Sequence, residues 1–135
     1  MASPLASALA ATALGGAALV LTPALPATAA PLPLTGTSLR LTLTFPEKTT
    51  SGTRQVRLYC EPPHGTHPAP LRACAELAAS GGEFERRNEG VACTLQYDPV
   101  TAEARGTWRG RPVAFRQTYS NACAMHAVTG GVFAF

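Results

Sequence analysis

Leu39-Arg40-Leu41-Thr42-Leu43-Thr44-Phe45 alternates apolar and polar side chains without a break. Period-two alternation puts the leucines and Phe45 on one face of a strand and Arg40, Thr42 and Thr44 on the other. Pro46 ends the run, because proline has no amide proton to give to a sheet ladder. Beyond a polar turn containing Ser51 and Gly52, Val56, Leu58 and Cys60 alternate with Arg57 and Tyr59 in the same manner. The two segments read as an antiparallel pair with one buried face.

Outward from this pair, Glu61 to Pro70 holds four prolines, two histidines and a glycine, and reads as loop. Leu71 to Ser80 follows as a helix: Leu71, Cys74, Leu77 and Ala78 recur at three- and four-residue spacing, Pro70 suits the first turn and Gly81 the end. Glu83 to Asn88 is charged and favours no element. Val91 to Tyr97 is extended, with Asp98 and Pro99 making a turn. Thr107-Trp108, Arg109-Gly110 and the alternating Val113, Phe115, Gln117 and Tyr119 form a hairpin signal. The first half of Asn121 to Gly131 reads as a short helix, and Val132 to Phe135 as a last strand. Four or five strands with one or two helices give an α+β domain whose antiparallel sheet has one face covered by helix.

The 135 residues allow one domain, and the N-terminal stretch is not part of it. Met1 to Leu39 contains no Asp, Glu, Lys or Arg. Leu5 to Leu21 has the composition of a signal-peptide core and too few large side chains for a membrane span, and Gly15, Gly16, Pro23 and Pro26 argue against a buried helix. Ala27-Thr28-Ala29 supplies an A-x-A cleavage site. We therefore expect a signal peptide over 1–29, a mobile arm over 30–37, a domain over 38–135, and an extracellular protein with no membrane association once the leader is removed.

In an exported chain, Cys60, Cys74, Cys93 and Cys123 read as two disulfides, with three pairings open. The net charge of +3 is spread from Arg40 to Arg116, too weak and scattered for a nucleic-acid footprint. Enzyme chemistry lacks parts. The single aspartate, Asp98, would have to serve a triad with His64, His67 or His126, and no G-x-S-x-G elbow is present. His64 and His67 lack a C-x-x-C partner for zinc, and Glu83, Glu85 and Glu89 sit in a solvated stretch. No phosphate loop or dinucleotide fingerprint calls for a cofactor.

What stands out is Ala92-Cys93-Thr94-Leu95-Gln96-Tyr97-Asp98-Pro99, an extended segment with a disulfide-forming residue two places before an apolar one. Pattern alone favours Leu95 facing the core as one residue of a strand. This stretch, with Gly65-Thr66-His67-Pro68-Ala69-Pro70, Ala73-Cys74-Ala75-Glu76-Leu77-Ala78-Ala79, Ser120-Asn121-Ala122-Cys123 and Val132-Phe133-Ala134-Phe135, resembles the Streptomyces subtilisin inhibitor family from about Leu39 to the C-terminus.

The resemblance implies a two-layer sandwich of a five-stranded antiparallel sheet and two short helices, a homodimer, and reversible inhibition of subtilisin-like serine proteases; the aliphatic side chain of Leu95 would suit, less well, the deep slot of chymotrypsin-like ones. It implies the pairings Cys60 with Cys74 and Cys93 with Cys123. It also implies a reactive loop of Ala92, Cys93, Thr94 and Tyr97 around a reactive site at Leu95 and Gln96, with Leu95 entering the protease pocket. Leu95 stands where the founding member has Met, Gln96 where an aliphatic residue is familiar, and Thr94 where Pro is common. The competing reading is a secreted binding module that uses the same loop on a metalloprotease or another partner.

Overall fold

The computed structural model describes residues 15–16, 23–28, 35–47 and 52–135. The chain divides into two units, Met1–Pro31 and Leu32–Phe135. Most of the leader expected over 1–29, and residues 30–34 of the expected arm, lie outside the described residues. Among the described residues no helix is long and apolar enough to cross a membrane.

In the second unit the leucine alternation forms β1 (Ser38–Thr44), and the next alternating run forms β2 (Thr53–Tyr59). They are followed by β3 (His64–Gly65), α1 (Pro70–Ala79), β4 (Val100–Trp108), β5 (Arg111–Tyr119) and α2 (Ala122–Thr129). The sheet is antiparallel in the order β3-β2-β1-β4-β5. β1 is central: Leu39 and Leu41 lie opposite Leu58 and Val56 on one side and Gly106 and Ala104 on the other. Residues directly opposite share a face, so leucines and small residues alternate across the covered layer. Gly106, at φ +134°, is required there because a Cβ would strike the Ser38 carbonyl of β1.

Each fully buried leucine of this layer contributes about 2 kcal/mol through removal from water. Leu39, Leu41, Leu43, Leu58, Leu77, Val100, Met125 and Phe133 form the centre of one apolar cluster. α1 packs over β2 and β3, and α2 over β4 and β5.

The disulfides are Cys60–Cys74 and Cys93–Cys123, with Cα separations of 5.6 and 5.8 Å. The first ties the end of β2 to α1 and fixes which side of the helix faces the sheet. Ala73, Cys74 and Leu77 are buried, whereas Leu71, expected on the apolar face, is 73% exposed. The buried side of the helix runs through Ala73, Cys74 and Leu77, and Leu71, in its first turn, falls at the rim of that side.

The C-terminal expectation is corrected. Val132 to Phe135 is not a strand: residues 131–133 form a turn, closed by the Ala134 amide on the Gly131 carbonyl at 3.2 Å. Phe133 is a fully buried plug against Phe84, Phe115 and Phe135. The fifth strand is β3 instead, two residues of the proline-rich stretch read as loop.

His67, also in that stretch, is buried rather than solvated, with its ring edge-on to Phe135. The Ala69 amide donates to Nδ1 at 3.0 Å, which leaves the proton on Nε2, 3.1 Å from the Val132 carbonyl. Burial, only partly offset by the bond to the Val132 carbonyl, lowers the pKa of the imidazole below its ordinary 6.5. Gly36 and Thr37, placed in the mobile arm by sequence, are tied down: the Thr37 amide donates to Glu61 at 2.9 Å, and the Gly110 amide to Gly36 at 3.2 Å.

Candidate functional site

Leu95 is as exposed as a leucine can be, at 102% relative accessibility, so the reading that placed it in a core strand is overturned. Residues 91–99 make no ladder with the sheet. Val91 and Tyr97 are exposed beside Leu95, so one loop presents three large apolar side chains to solvent. A monomeric surface rarely gathers such groups without a use for them.

The loop is exposed but heavily braced. Upstream, Asn88 accepts the Val91 amide at 2.8 Å and donates to the Val91 carbonyl at 3.0 Å, which closes a tight bend. The Arg86 amide donates to the Val128 carbonyl of α2 at 2.7 Å. The Tyr119 hydroxyl donates to Glu85 at 2.6 Å; burial first, then the Glu85 bond and charge, hold this phenol well above its ordinary range. Downstream, the Asp98 amide donates to the Ser120 carbonyl at 2.9 Å, and Pro99 is buried at the entry to β4. In the middle, the disulfide from Cys93 runs to Cys123 in the first turn of α2.

Asn121 completes the support. Its Oδ1 accepts the Ala124 amide at 2.9 Å and caps α2, satisfying one of the orphan donors of the first turn. Its Nδ2 donates to the Thr94 carbonyl at 3.1 Å and to the Gln96 carbonyl at 2.8 Å. One buried amide therefore holds the backbone on both sides of Leu95. The sequence motif included Asn121 without giving it a role; the signal was an asparagine before a short helix, a cap whose two amide protons are left to find acceptors.

Glu76 on α1 carries the bracing further. Its carboxylate accepts the Gly131 amide at 2.6 Å, Arg72 at 2.8 Å and Arg86 at 3.1 Å. Burial would raise its pKa, but these donors outweigh it and lower it. Among the described residues no hydrogen bond joins Asp98 to His64, His67 or His126, and no group of three His, Cys, Asp or Glu could hold a metal.

The fold and the site together define a loop-presenting domain, in which a two-layer α+β body holds an extended apolar segment rigid at its surface. Comparison with known proteins gives the class its family. A family model described as subtilisin inhibitor-like matches residues 35–121, and the chain belongs to that family. It is 47% identical over 85 residues to the subtilisin inhibitor of Streptomyces albogriseolus, a match covering 61% of this chain and 59% of that protein. It is 43% identical over 91 residues to subtilisin inhibitor-like protein 5 of Streptomyces fradiae, covering 65% of this chain and 85% of that one. Among solved structures it is similar to Streptomyces caespitosus sermetstatin, crystallised in complex with Bacillus licheniformis subtilisin. There the TM-score is 0.60 at 34% identity, covering 74% of this chain and 99% of the other.

Proposed function

We propose that this protein is a secreted inhibitor of subtilisin-like serine proteases that offers the Leu95–Gln96 bond to the enzyme as a substrate would. The observation that carries the reading is the full exposure of Leu95 on a loop held from both sides by Asn121 and by the Cys93–Cys123 bridge. The names of its relatives and the subtilisin complex of sermetstatin support the target class.

A substrate and an inhibitor of this kind both enter the protease cleft as an extended strand paired with its backbone. They differ in the freedom left to the loop. Cutting after Leu95 would leave the new carboxyl end held through Cys93 and the Thr94 carbonyl. The new amine would be held through the Gln96 carbonyl and the Asp98 amide. Hydrolysis then gains little entropy, the amine stays where it can re-form the bond, and the complex persists. Leu95 in an apolar pocket contributes about 1.5 to 3 kcal/mol, and backbone pairing with shape fit over an interface of about 1,600 Å² contributes the rest.

The finer parts of the proposal are cleavage of the leader after Ala29, export, a homodimer, and weaker inhibition of chymotrypsin-like proteases. They rest on the uncharged alanine-rich leader and on the family likeness. Titration of subtilisin, chymotrypsin, trypsin and a thermolysin-type protease tests the main reading. Stoichiometric loss of subtilisin activity is expected; loss confined to the metalloprotease would refute it. Mass spectrometry of exported protein and sedimentation at micromolar concentration check the N-terminus and the dimer.

A further inference from the structure

Arg86 and Arg87 are adjacent cations in the run that leads from α1 to the Leu95 loop. Residues 85–89 are all exposed and lie in no helix or strand, the kind of stretch at which proteases nick a folded chain. The two arginines differ in what holds them. Arg86 is engaged at both ends: its amide donates to the Val128 carbonyl at 2.7 Å, and its guanidinium bonds Glu76 at 3.1 Å. Arg87 makes no hydrogen bond or ion pair, through backbone or side chain, among the described residues. Glu85 is bonded only through its side chain, to Tyr119.

A protease pairs with the backbone of its substrate as one strand pairs with another, engaging alternate residues and leaving those between them turned away. Glu85 and Arg87 offer the free backbone groups that this needs, and Arg86 between them is the one turned to the body of the domain. Arg87 is therefore placed to enter the pocket of an enzyme that selects cations, and Arg86 is not. Every other described arginine lies in a strand, in α1 or, as Arg109, in the short turn between β4 and β5, where its amide is bonded to Thr37 at 3.2 Å.

We propose that Arg87–Asn88 is a release site, at which a trypsin-like serine protease ends the inhibition of a subtilisin-like one; this rests on the function proposed for the Leu95 loop. Water adds across the bond, its hydroxyl to the Arg87 carbonyl carbon and its proton to the Asn88 nitrogen. The acid and amine so formed exchange a proton to become carboxylate and ammonium. The carboxylate end stays in place through the bonds of Arg86 to Val128 and Glu76. The ammonium end does not: Asn88 is bonded only to Val91, within the freed stretch, and the first bond to the body beyond the cut is the Cys93 bridge. With one end adrift the bond does not re-form, unlike a bond whose two ends are both held. Upstream of Leu95 the loop then keeps only that bridge and the bond from Asn121 to the Thr94 carbonyl.

Neither disulfide spans the cut, because Cys60 and Cys74 precede it and Cys93 and Cys123 follow it, so denaturant parts the cut chain into two pieces. The exported chain is incubated with catalytic amounts of trypsin, which is then quenched with a small-molecule inhibitor. Mass spectrometry in denaturant should find a cut after Arg87. The cut chain should inhibit subtilisin roughly tenfold more weakly, since a freed segment must be ordered again on binding, and should lose its Leu95–Gln96 bond over hours. Arg87→Gln should keep this stretch whole under the same treatment and inhibit as the untreated wild type does. Arg86→Gln should still be cut after Arg87. A cut after Arg86 in place of Arg87, no cut in this stretch, or a cut chain that inhibits as tightly as the whole one would overturn the proposal while leaving the function of the loop intact. A whole chain that leaves subtilisin active would refute that function, and the release with it.

Discussion

Asn121→Asp separates two tasks that one side chain performs. Aspartate caps a helix as well as asparagine does, so Oδ1 still receives the Ala124 amide and α2 keeps its start. The Thr94 and Gln96 carbonyls instead lose their donor and face a carboxylate. Each lost bond is worth about 0.5 to 1.5 kcal/mol net, so the braced geometry of the loop loses about 1 to 3 kcal/mol, or roughly 5- to 150-fold in the dissociation constant. Once loosened, the loop should also be cut: mass spectrometry of the complex over hours should show the Leu95–Gln96 bond hydrolysed in the variant and intact in the wild type. A carboxyl facing two carbonyls takes a proton more readily than an ordinary aspartate, and when protonated it can donate one bond. Inhibition by the variant should therefore recover in part as the pH falls toward about 5, with no such recovery in the wild type. Asn121→Ala loses the cap as well and should cost about 1 kcal/mol more in stability. If Asn121→Asp inhibited subtilisin as tightly as the wild type at pH 8 and resisted cleavage equally, the account of loop bracing would be wrong.

Leu95→Lys should gain trypsin inhibition, by offering a cation to the aspartate at the base of that enzyme's pocket, and keep its melting temperature, since Leu95 contributes no burial to the fold; an unchanged inhibition profile would place the contact residue elsewhere. Replacing Cys93 and Cys123 together by serine opens a loop of 30 residues and should cost about 3 to 4 kcal/mol, read by thermal melting, and turn the inhibitor into a substrate. His67 predicts an acid limit: its folded pKa lies below 6.5, so the folded state binds the proton less readily than the unfolded one, and stability that is complete above 6.5 is lost as the pH falls from there toward the folded value. Melting curves between about pH 8 and pH 5 should show this loss before that of Glu76, whose lowered pKa places its contribution at more acid pH; His67→Asn should flatten the His67 window.

The strand pair was legible because alternation over Leu39 to Phe45 and Val56 to Cys60 is a local pattern with one physical cause. α1 was legible in extent and not in orientation, since its apolar face is chosen by the Cys60–Cys74 bridge, a contact between residues far apart in sequence. Val132 to Phe135 misled because a short apolar run looks alike as a strand and as a plug. Only the contacts of Phe133 with Phe84, Phe115 and Phe135, together with the bond from His67 to the Val132 carbonyl, decide for the plug. The loop around Leu95 was legible through its resemblance to a family, while its supports were not: Asn121, Ser120 and Val128 act on residues 22 to 42 places earlier in the chain.

The supports of the loop share an origin. Ser120, Asn121 and Cys123 lie within four residues at the junction of β5 and α2, and the carbonyl that receives the Arg86 amide belongs to the last turn of the same helix. The position of the loop is therefore set by the seating of α2 on β4 and β5, through Met125, which is buried, and through Thr129, which bonds back to the Met125 carbonyl at 2.9 Å. Gly131, just beyond α2, is bonded in turn to Glu76 on α1. A short helix with few buried residues would be a weak support by itself. Joined by a disulfide to the loop, by a capping asparagine to the backbone on both sides of Leu95, and by Glu76 to the other helix, it makes loosening of the loop depend on disturbance of the core. If Leu95 is the contact residue as proposed, the rigidity that would separate an inhibitor from a substrate is in this way an expression of the stability of the domain.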